Sequence, residues 1–308
     1  MQEIKKGKGS DPTKNNKSLF LISMLIVPML NFLIFWLYVN FQSILNAFRV
    51  EEYGEVRFSF INWKYFFEDL FLDNPYINIA SMFKNTLIYF ASIVVIILPL
   101  SLLLAYFLYK KIRFYRYYRV IFFLPNIVSG AVLATLYKFL FNPSVGGPVA
   151  MLISTISGNP PQNYLLTDEW ALPLVLLYGI WTGFSVNLII FTGAMGRLPM
   201  AVIEAAQIDG VNMREEFFKI MIPMMWPTLS TIIVTTVAGI FTSSGAVLLL
   251  TGGDHDTASI AFWIWITTRN QQSIYYPSTV AFCCTLVSVP LVLGVKKLTE
   301  KLYPDVVY

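Results

Sequence analysis

Continuous apolar runs, not alternating ones, dominate the chain. Six are long enough to cross a bilayer as helix, which takes about 20 apolar residues. They lie at roughly 19–41, 85–109, 120–141, 171–195, 227–250 and 277–295. None shows the period-two alternation of a barrel strand, so the pattern predicts an all-α integral membrane protein with six transmembrane helices. The first run follows a polar leader, MQEIKKGKGSDPTKNNKS, is too long for a signal-peptide core and precedes no small-residue cleavage site, which predicts an uncleaved first span. The expected organisation is a cytoplasmic leader (1–18), a first helix with an external segment (19–74), a helical core (75–295) and a cytoplasmic tail (296–308).

Composition agrees with this pattern: 56% of the 308 residues are hydrophobic and 13% charged, against about 25% charged in a soluble domain. The 22 basic residues set the orientation. The leader carries five, the stretch KKIRFYRYYR (110–119) five, segment 196–226 three and the tail three, 16 in all, against six elsewhere. By the positive-inside tendency both termini are cytoplasmic. The basic balance therefore reports topology, and nucleic acid is not an expected partner. Within the six runs Lys138 is the only charge, near enough to an end to snorkel. The carboxylates or histidines that relay protons or sodium in secondary carriers are missing from the spans, and no phosphate-cradling G-x-x-x-x-G-K-[ST] occurs. Energy for transport is therefore expected from outside the chain. No catalytic constellation is evident. His255, the only histidine, lies with Asp254 and Asp256 in the turn-rich TGGDHDTAS, read as a solvated loop, and the adjacent Cys283 and Cys284 read as small buried hydrophobes.

The connection GRLPMAVIEAAQIDGVNMREEFFKIMIPMMW (196–226) is unlike the others. It parses as two short helices. Met200 to Ile208 form the first, with Glu204 near its start and small Ala205 and Ala206 allowing close approach of another surface. Asp209-Gly210 is a stop, because glycine accepts the left-handed conformation of a C-cap. Asn212 with Glu215 reads as a variant capping box opening a second helix, which presents Phe217, Phe218, Ile220 and Met221 before Pro223. A short helix exposing small and aromatic residues needs something to pack on. One reading lays it on lipid headgroups. The other makes it a docking knob for a cytoplasmic partner, and the excess of acidic over basic residues in the loop favours that one.

At this point the chain resembles a known family. Glu204-Ala205-Ala206, Gly210, Ile220, Ile222 and Pro223, at these spacings, follow the EAA loop of the membrane subunits of binding-protein-dependent ABC importers, with Ile222 where leucine is usual. The extended form EAAQIDG is similar to the carbohydrate branch of that family. FFLPNIVSGAVLATLYKFLFNPSVGG (122–147) and YLLTDEWALPLVLLYGIWTGFSVNLIIFTGAMGRLP (164–199) resemble its third and fourth span segments. LLLTGGDHDTASIAFWIW (248–265) resembles its external connection, with a departure at His255 from the usual glycine-proline. The tail looks more like the first of the two permease types in such transporters.

The resemblance implies a type I ABC importer permease architecture, with a cytoplasmic coupling helix between helices 4 and 5. It implies a chain that is non-catalytic and binds no cofactor, ATP and magnesium being used by partner ATPases. The implied partners are a second permease subunit, two cytoplasmic ABC ATPase subunits, an extracytoplasmic solute-binding protein, a sugar substrate and the lipid bilayer of a bacterial or archaeal plasma membrane. Carried over by position, Glu204 is the polar anchor on the ATPase, Ala205 and Ala206 the close-packing surface, Gly210 the bend with Asp209 capping it, and Phe217, Phe218 and Pro223 complete the coupling segment. Sugars need hydrogen-bonding groups and aromatic faces, which makes Trp181, Thr182, Ser185, Asn187, Thr242, Ser243 and Ser244 candidates for the solute path. Family position supports the Gly183–Asn187 turn and the span-five cluster. Serine and threonine in membrane helices also serve as helix-to-helix glue. The competing classes are a same-architecture permease for amino acids, peptides, polyamines or oxyanions, a secondary carrier or channel, and a membrane enzyme. Nearly charge-free spans favour a neutral polar solute.

Overall fold

The computed structural model describes residues 12–52, 54–71, 78–243, 245–270 and 273–302. Most of the expected leader, the end of the expected tail (303–308) and Ser244 lie outside the described residues. The described chain opens in a helix that starts at Pro12, and its apolar part is α1 (Phe20–Asn46). An antiparallel hairpin follows, β1 (Arg49–Glu52) with β2 (Glu55–Phe58), pairing Arg49 with Phe58. Then come α2 (Ile61–Phe71), α3 (Ile79–Tyr109), α4 (Tyr115–Ile127), α5 (Gly130–Phe141), α6 (Pro148–Ser157) and α7 (Ala171–Met195). The 196–226 region supplies α8 (Met200–Ile208) and α9 (Met213–Met224), followed by α10 (Trp226–Ala238), α11 (Gly245–Leu250), α12 (Ile260–Arg269) and α13 (Tyr275–Leu302).

Four of these helices, α1, α3, α7 and α13, are long and apolar enough to cross a membrane unbroken, and two bent pairs raise the number to six. The bends correct two expected spans. The run at 120–141 is two helices meeting at 103°. Pro125 removes a backbone donor near the end of α4, and Val128 and Ser129 are extended, so the helix stops and restarts at Gly130. The run at 227–250 does not continue as one helix either. α10 ends at Ala238, turns follow, and α11 begins at Gly245, while its bent partner is α9, at 72°. Pro223 and Pro227 flank that second bend, where Met225 leaves the helical region. Apolarity was continuous across both breaks because lipid and protein interior are equally dry, whereas direction is set by proline and glycine.

Three apolar clusters hold the bundle. At one end Leu102 and Tyr106 of α3 pack with Phe191 and Met195 of α7 and with Met221 and Leu229. In the second, Tyr137 of α5 donates to Leu174 O at 3.0 Å and meets Tyr178 edge-on. The third joins Phe66 of α2 to Ile79, Trp263, Cys283 and Cys284. Both cysteines are buried, as small hydrophobes should be. The segment after α1 is tied to α13, since Thr279 Oγ1 donates to Ala47 O at 2.9 Å. Trp63 Nε1 donates to the same oxygen at 3.1 Å.

The loop 251–259, expected to be solvated, is instead bolted to α3. Asn85 Nδ2 donates to Asp256 O at 2.6 Å and Tyr89 Oη to Thr257 O at 2.8 Å, while Thr86 Oγ1 accepts from Ile260 N at 3.0 Å. His255 Nδ1 lies 2.7 Å from Asp168 Oδ1, and both His255 and Asp256 adopt left-handed backbone. Gly253 is required twice over: its φ is +90°, and a Cβ there would stand 2.3 Å from the Phe262 ring. The His255 departure from the resembling pattern is thus absorbed by a side-chain pair instead of a proline.

Candidate functional site

Segment 196–226 builds a compact knob. α8 ends in a Schellman arrangement, with Val211 N donating to Ala206 O at 3.1 Å and Gly210 N to Gln207 O at 3.2 Å. Gly210 has φ +77° and open space around its α-carbon, so the conformation, not crowding, calls for glycine. Asp209 is the C-cap through its backbone. Asn212 Oδ1 then accepts from Arg214 N and Glu215 N at 3.1 and 3.0 Å, starting α9. The Glu215 carboxylate is bonded by Lys219 and by the Asn212 backbone, and together they hold it below the usual carboxylate range. Those paired caps fix a tight turn between the two helices.

The period of α8 decides what the knob offers. Ile203 is buried in the first cluster and Ala206 is buried as well, while Met200, Glu204, Ala205 and Ile208 face outward. Of the two alanines expected to form one close-packing surface, Ala205 is therefore available and Ala206 is committed to its own chain. Phe217 is likewise turned inward onto Tyr106, at 5.0 Å between ring centres, whereas Phe218 remains exposed. Pro223 is half-buried at the start of the bend. Ile208, absent from the expected docking residues, is 86% exposed one turn beyond Glu204. Its signal was the i, i+4, i+8 row Met200–Glu204–Ile208.

Midway along α3 and α7 lies a cavity of about 240 Å³. Gly179, Gly183 and Asn187 line it at four-residue intervals of α7, and Ser92 and Ile97 face them from α3. Ser243 and Ala246 close a third side from the break between α10 and α11. Part of the α3 wall is a π-helical turn, Ile93–Ile97, and the missing side chain at Gly183 makes room for it: a Cβ there would stand 2.9 Å from Ile97 Cδ1. The Asn187 side chain is half-buried and bonds to none of the described residues, so its two donors and its acceptor line the cavity unpaired among them. Three expected path residues, Gly183, Asn187 and Ser243, are thus brought together. The others are not. Trp181 packs edge-on to Tyr178, Thr182 Oγ1 donates to Tyr178 O at 2.9 Å, and Ser185 Oγ crosses to Phe122 O at 2.9 Å as helix glue. Thr242 Oγ1 is turned back to Gly239 O at 2.9 Å.

Residues 97–307 match the family model described as binding-protein-dependent transport system inner membrane component. The chain belongs to that family. This permease is 29% identical over 218 residues to the osmoprotective compounds uptake permease protein GgtC of Synechocystis, covering 68% of this chain and 77% of that one. It is 24% identical to the multiple sugar-binding transport system permease protein MsmF of Streptococcus mutans, over 89% and 93% of the two chains. In three dimensions it is similar to a chain of a bacterial ABC transporter involved in the import of the acidic polysaccharide alginate. The TM-score is 0.80 at 21% identity, covering 94% of this chain and 98% of the other.

Behind the knob of the permease lies an ion pair with no counterpart in the sequence reading. Lys110, just past the end of α3, reaches Glu216 of α9 at 2.8 Å, and the two side chains are 20% and 3% exposed. The hydroxyl of Tyr106 stands beside Glu216 but donates to Met213 O at 3.2 Å, and Glu216 Oε1 has no partner among the described residues. Glu216 is buried at the start of a π-helical turn, Glu216–Met221. The pair fastens the second helix of the knob to the end of α3, one wall of the cavity.

Proposed function

We propose that this permease is the non-catalytic membrane subunit of an ATP-driven importer for a neutral carbohydrate. On this reading the outward face of α8 and Phe218 dock on a cytoplasmic ABC ATPase subunit, and the cavity forms one wall of the solute path. The cavity carries the reading: its walls hold amide and hydroxyl groups and no charge. A solute bearing net charge would call for a counter-charge in so dry a site. Its volume is below the roughly 300–1,000 Å³ of a complete ligand pocket, as suits a wall that a second permease subunit closes. The multiple-sugar relative supports the carbohydrate class, and the family supports an extracytoplasmic solute-binding protein as donor. ATP and magnesium belong to the ATPase partners.

The test is uptake. Asn187→Ala with Ser243→Ala removes hydrogen-bonding groups without adding bulk. At about 0.5–1.5 kcal/mol net per hydrogen bond, the concentration for half-maximal uptake should rise about tenfold. Basal ATP hydrolysis of the assembled complex should stay as it was. Wild-type uptake kinetics with only a lowered Tm would remove the cavity from the solute path.

The same reading places both termini in the cytoplasm. Segments expected on one side do meet in space: Lys111 and Arg119 share a pocket with Met200 and Gln207, while Asp168 meets His255 at the other end. Cysteines replacing Arg57 or Asn159 should therefore react with an impermeant reagent on intact cells. Those replacing Arg116 or Met213 should react only after permeabilisation. The reverse pattern would invert the topology; the native cysteines are buried and should stay silent.

A further inference from the structure

A pocket of about 630 Å³ lies under the turn that joins α3 to α4, against Met200, Ile203 and Gln207 of α8. Lys110, Lys111 and Arg119 line it with Tyr115 and Gln207, and no acidic residue does. Lys110 is engaged by Glu216, which leaves Lys111 and Arg119, both exposed, as its uncompensated cations. Arg116 Nε donates to Tyr115 Oη at 3.3 Å and steadies that wall. The turn itself is held in an uncommon shape, with left-handed backbone at two non-glycine residues, Lys111 and Phe114. Beside the pocket, sharing Leu108, is a second and wholly apolar notch of about 90 Å³ between Phe107, Ile112 and Phe122.

A basic pocket fits any phosphate, but a basic pocket beside an apolar notch at the end of a membrane helix fits an amphiphile. We propose that this site binds an anionic phospholipid of the adjoining leaflet. The phosphate lies between Lys111 and Arg119, the Gln207 amide is a further donor from α8, and the head of an acyl chain lies along Phe107 and Phe122. Basic pockets between helices at the membrane edge recognise anionic headgroups by this chemistry, and Tyr115 stands where interfacial aromatics collect. The lipid so placed touches α8 and the α3–α4 turn at once.

The full chain, purified in neutral detergent, is titrated with phosphatidylglycerol, with phosphatidylcholine or with inorganic phosphate. Bound lipid is counted by native mass spectrometry and Tm is followed. The expected result is saturable retention of phosphatidylglycerol with a rise in Tm, and neither effect from the other two. The Lys111→Gln/Arg119→Gln variant should bind about 25-fold more weakly, since each interfacial cation contributes roughly fivefold. Lys111→Arg/Arg119→Lys should restore binding, which separates lost charge from misfolding. Equal retention of phosphatidylcholine, or undiminished phosphatidylglycerol binding by the glutamine variant, would overturn the site. A response to phosphate alone would overturn the lipid and leave a free-anion site.

Discussion

Replacing Lys110 by methionine is expected to destabilise the folded chain by about 3 kcal/mol, the lower end for breaking a buried ion pair. Glu216 keeps only 3% of its side chain exposed, and its Oε1 already lacks a partner among the described residues. Without the ammonium its charge is stranded in an apolar cluster formed by Phe217, Met221 and Tyr106. The lower end applies because Lys110 retains a fifth of its exposure, so water screens part of the pair. The partner change gives the decisive comparison. Lys110→Met with Glu216→Leu replaces the pair by packing of similar volume and should return to within about 1 kcal/mol of wild type. Denaturant unfolding in neutral micelles measures both. A double variant as unstable as the single would show that the two side chains are not coupled.

Gly210→Val is expected to abolish uptake while leaving membrane insertion intact. A Cβ placed at Gly210 has no neighbour within 4 Å, so crowding at that atom is not the obstacle. The penalty is conformational: left-handed backbone costs an ordinary residue about 1–2 kcal/mol, and a β-branched one more. The chain can relieve it only by giving up the bonds from Val211 N and Gly210 N that close α8. The turn would then no longer set α8 against α9, and the outward row Met200–Glu204–Ile208 would lose its fixed aim. Gly210→Asn, tolerated in that region, should keep most of the uptake. The measurements are solute uptake, membrane content of the chain, and recovery of the ATPase with it on purification. Full uptake by the valine variant would remove the knob from the coupling route.

What could be read from sequence was what short stretches decide for themselves. The stop at Asp209-Gly210 and the start at Asn212 are local hydrogen-bond chemistry, and both stand where the residues placed them. The number of membrane segments was equally legible, because hydropathy sums over windows. The sum discards direction, and so the 103° turn after Ile127 and the break after Ala238 stayed hidden behind unbroken apolarity. Pro125, and the run Gly239 to Gly245, were the available signs. At the candidate sites the EAA spacing located the knob but not its faces. Counting by helical period from the buried Ile203 separates Ala206, inside, from Ala205, outside. The pair Lys110–Glu216 had no local sign at all. Its members are 106 residues apart, and an acidic residue in a polar connection reads as solvated until the fold turns it inward.

The apolar stretch of α1 buries none of its length inside the chain. A side chain such as Phe191, fully enclosed, must match the shape of its neighbours, so any change there demands another nearby. Between Phe20 and Phe41 nothing within the chain imposes such a match. That stretch is answerable for greasiness and length alone, and Leu, Ile, Phe, Val and Met are interchangeable there as far as this chain's own packing is concerned. Such a helix drifts freely in spelling while holding its composition. By this chain's own packing, that makes α1 the place where another apolar helix of the same length is most readily exchanged.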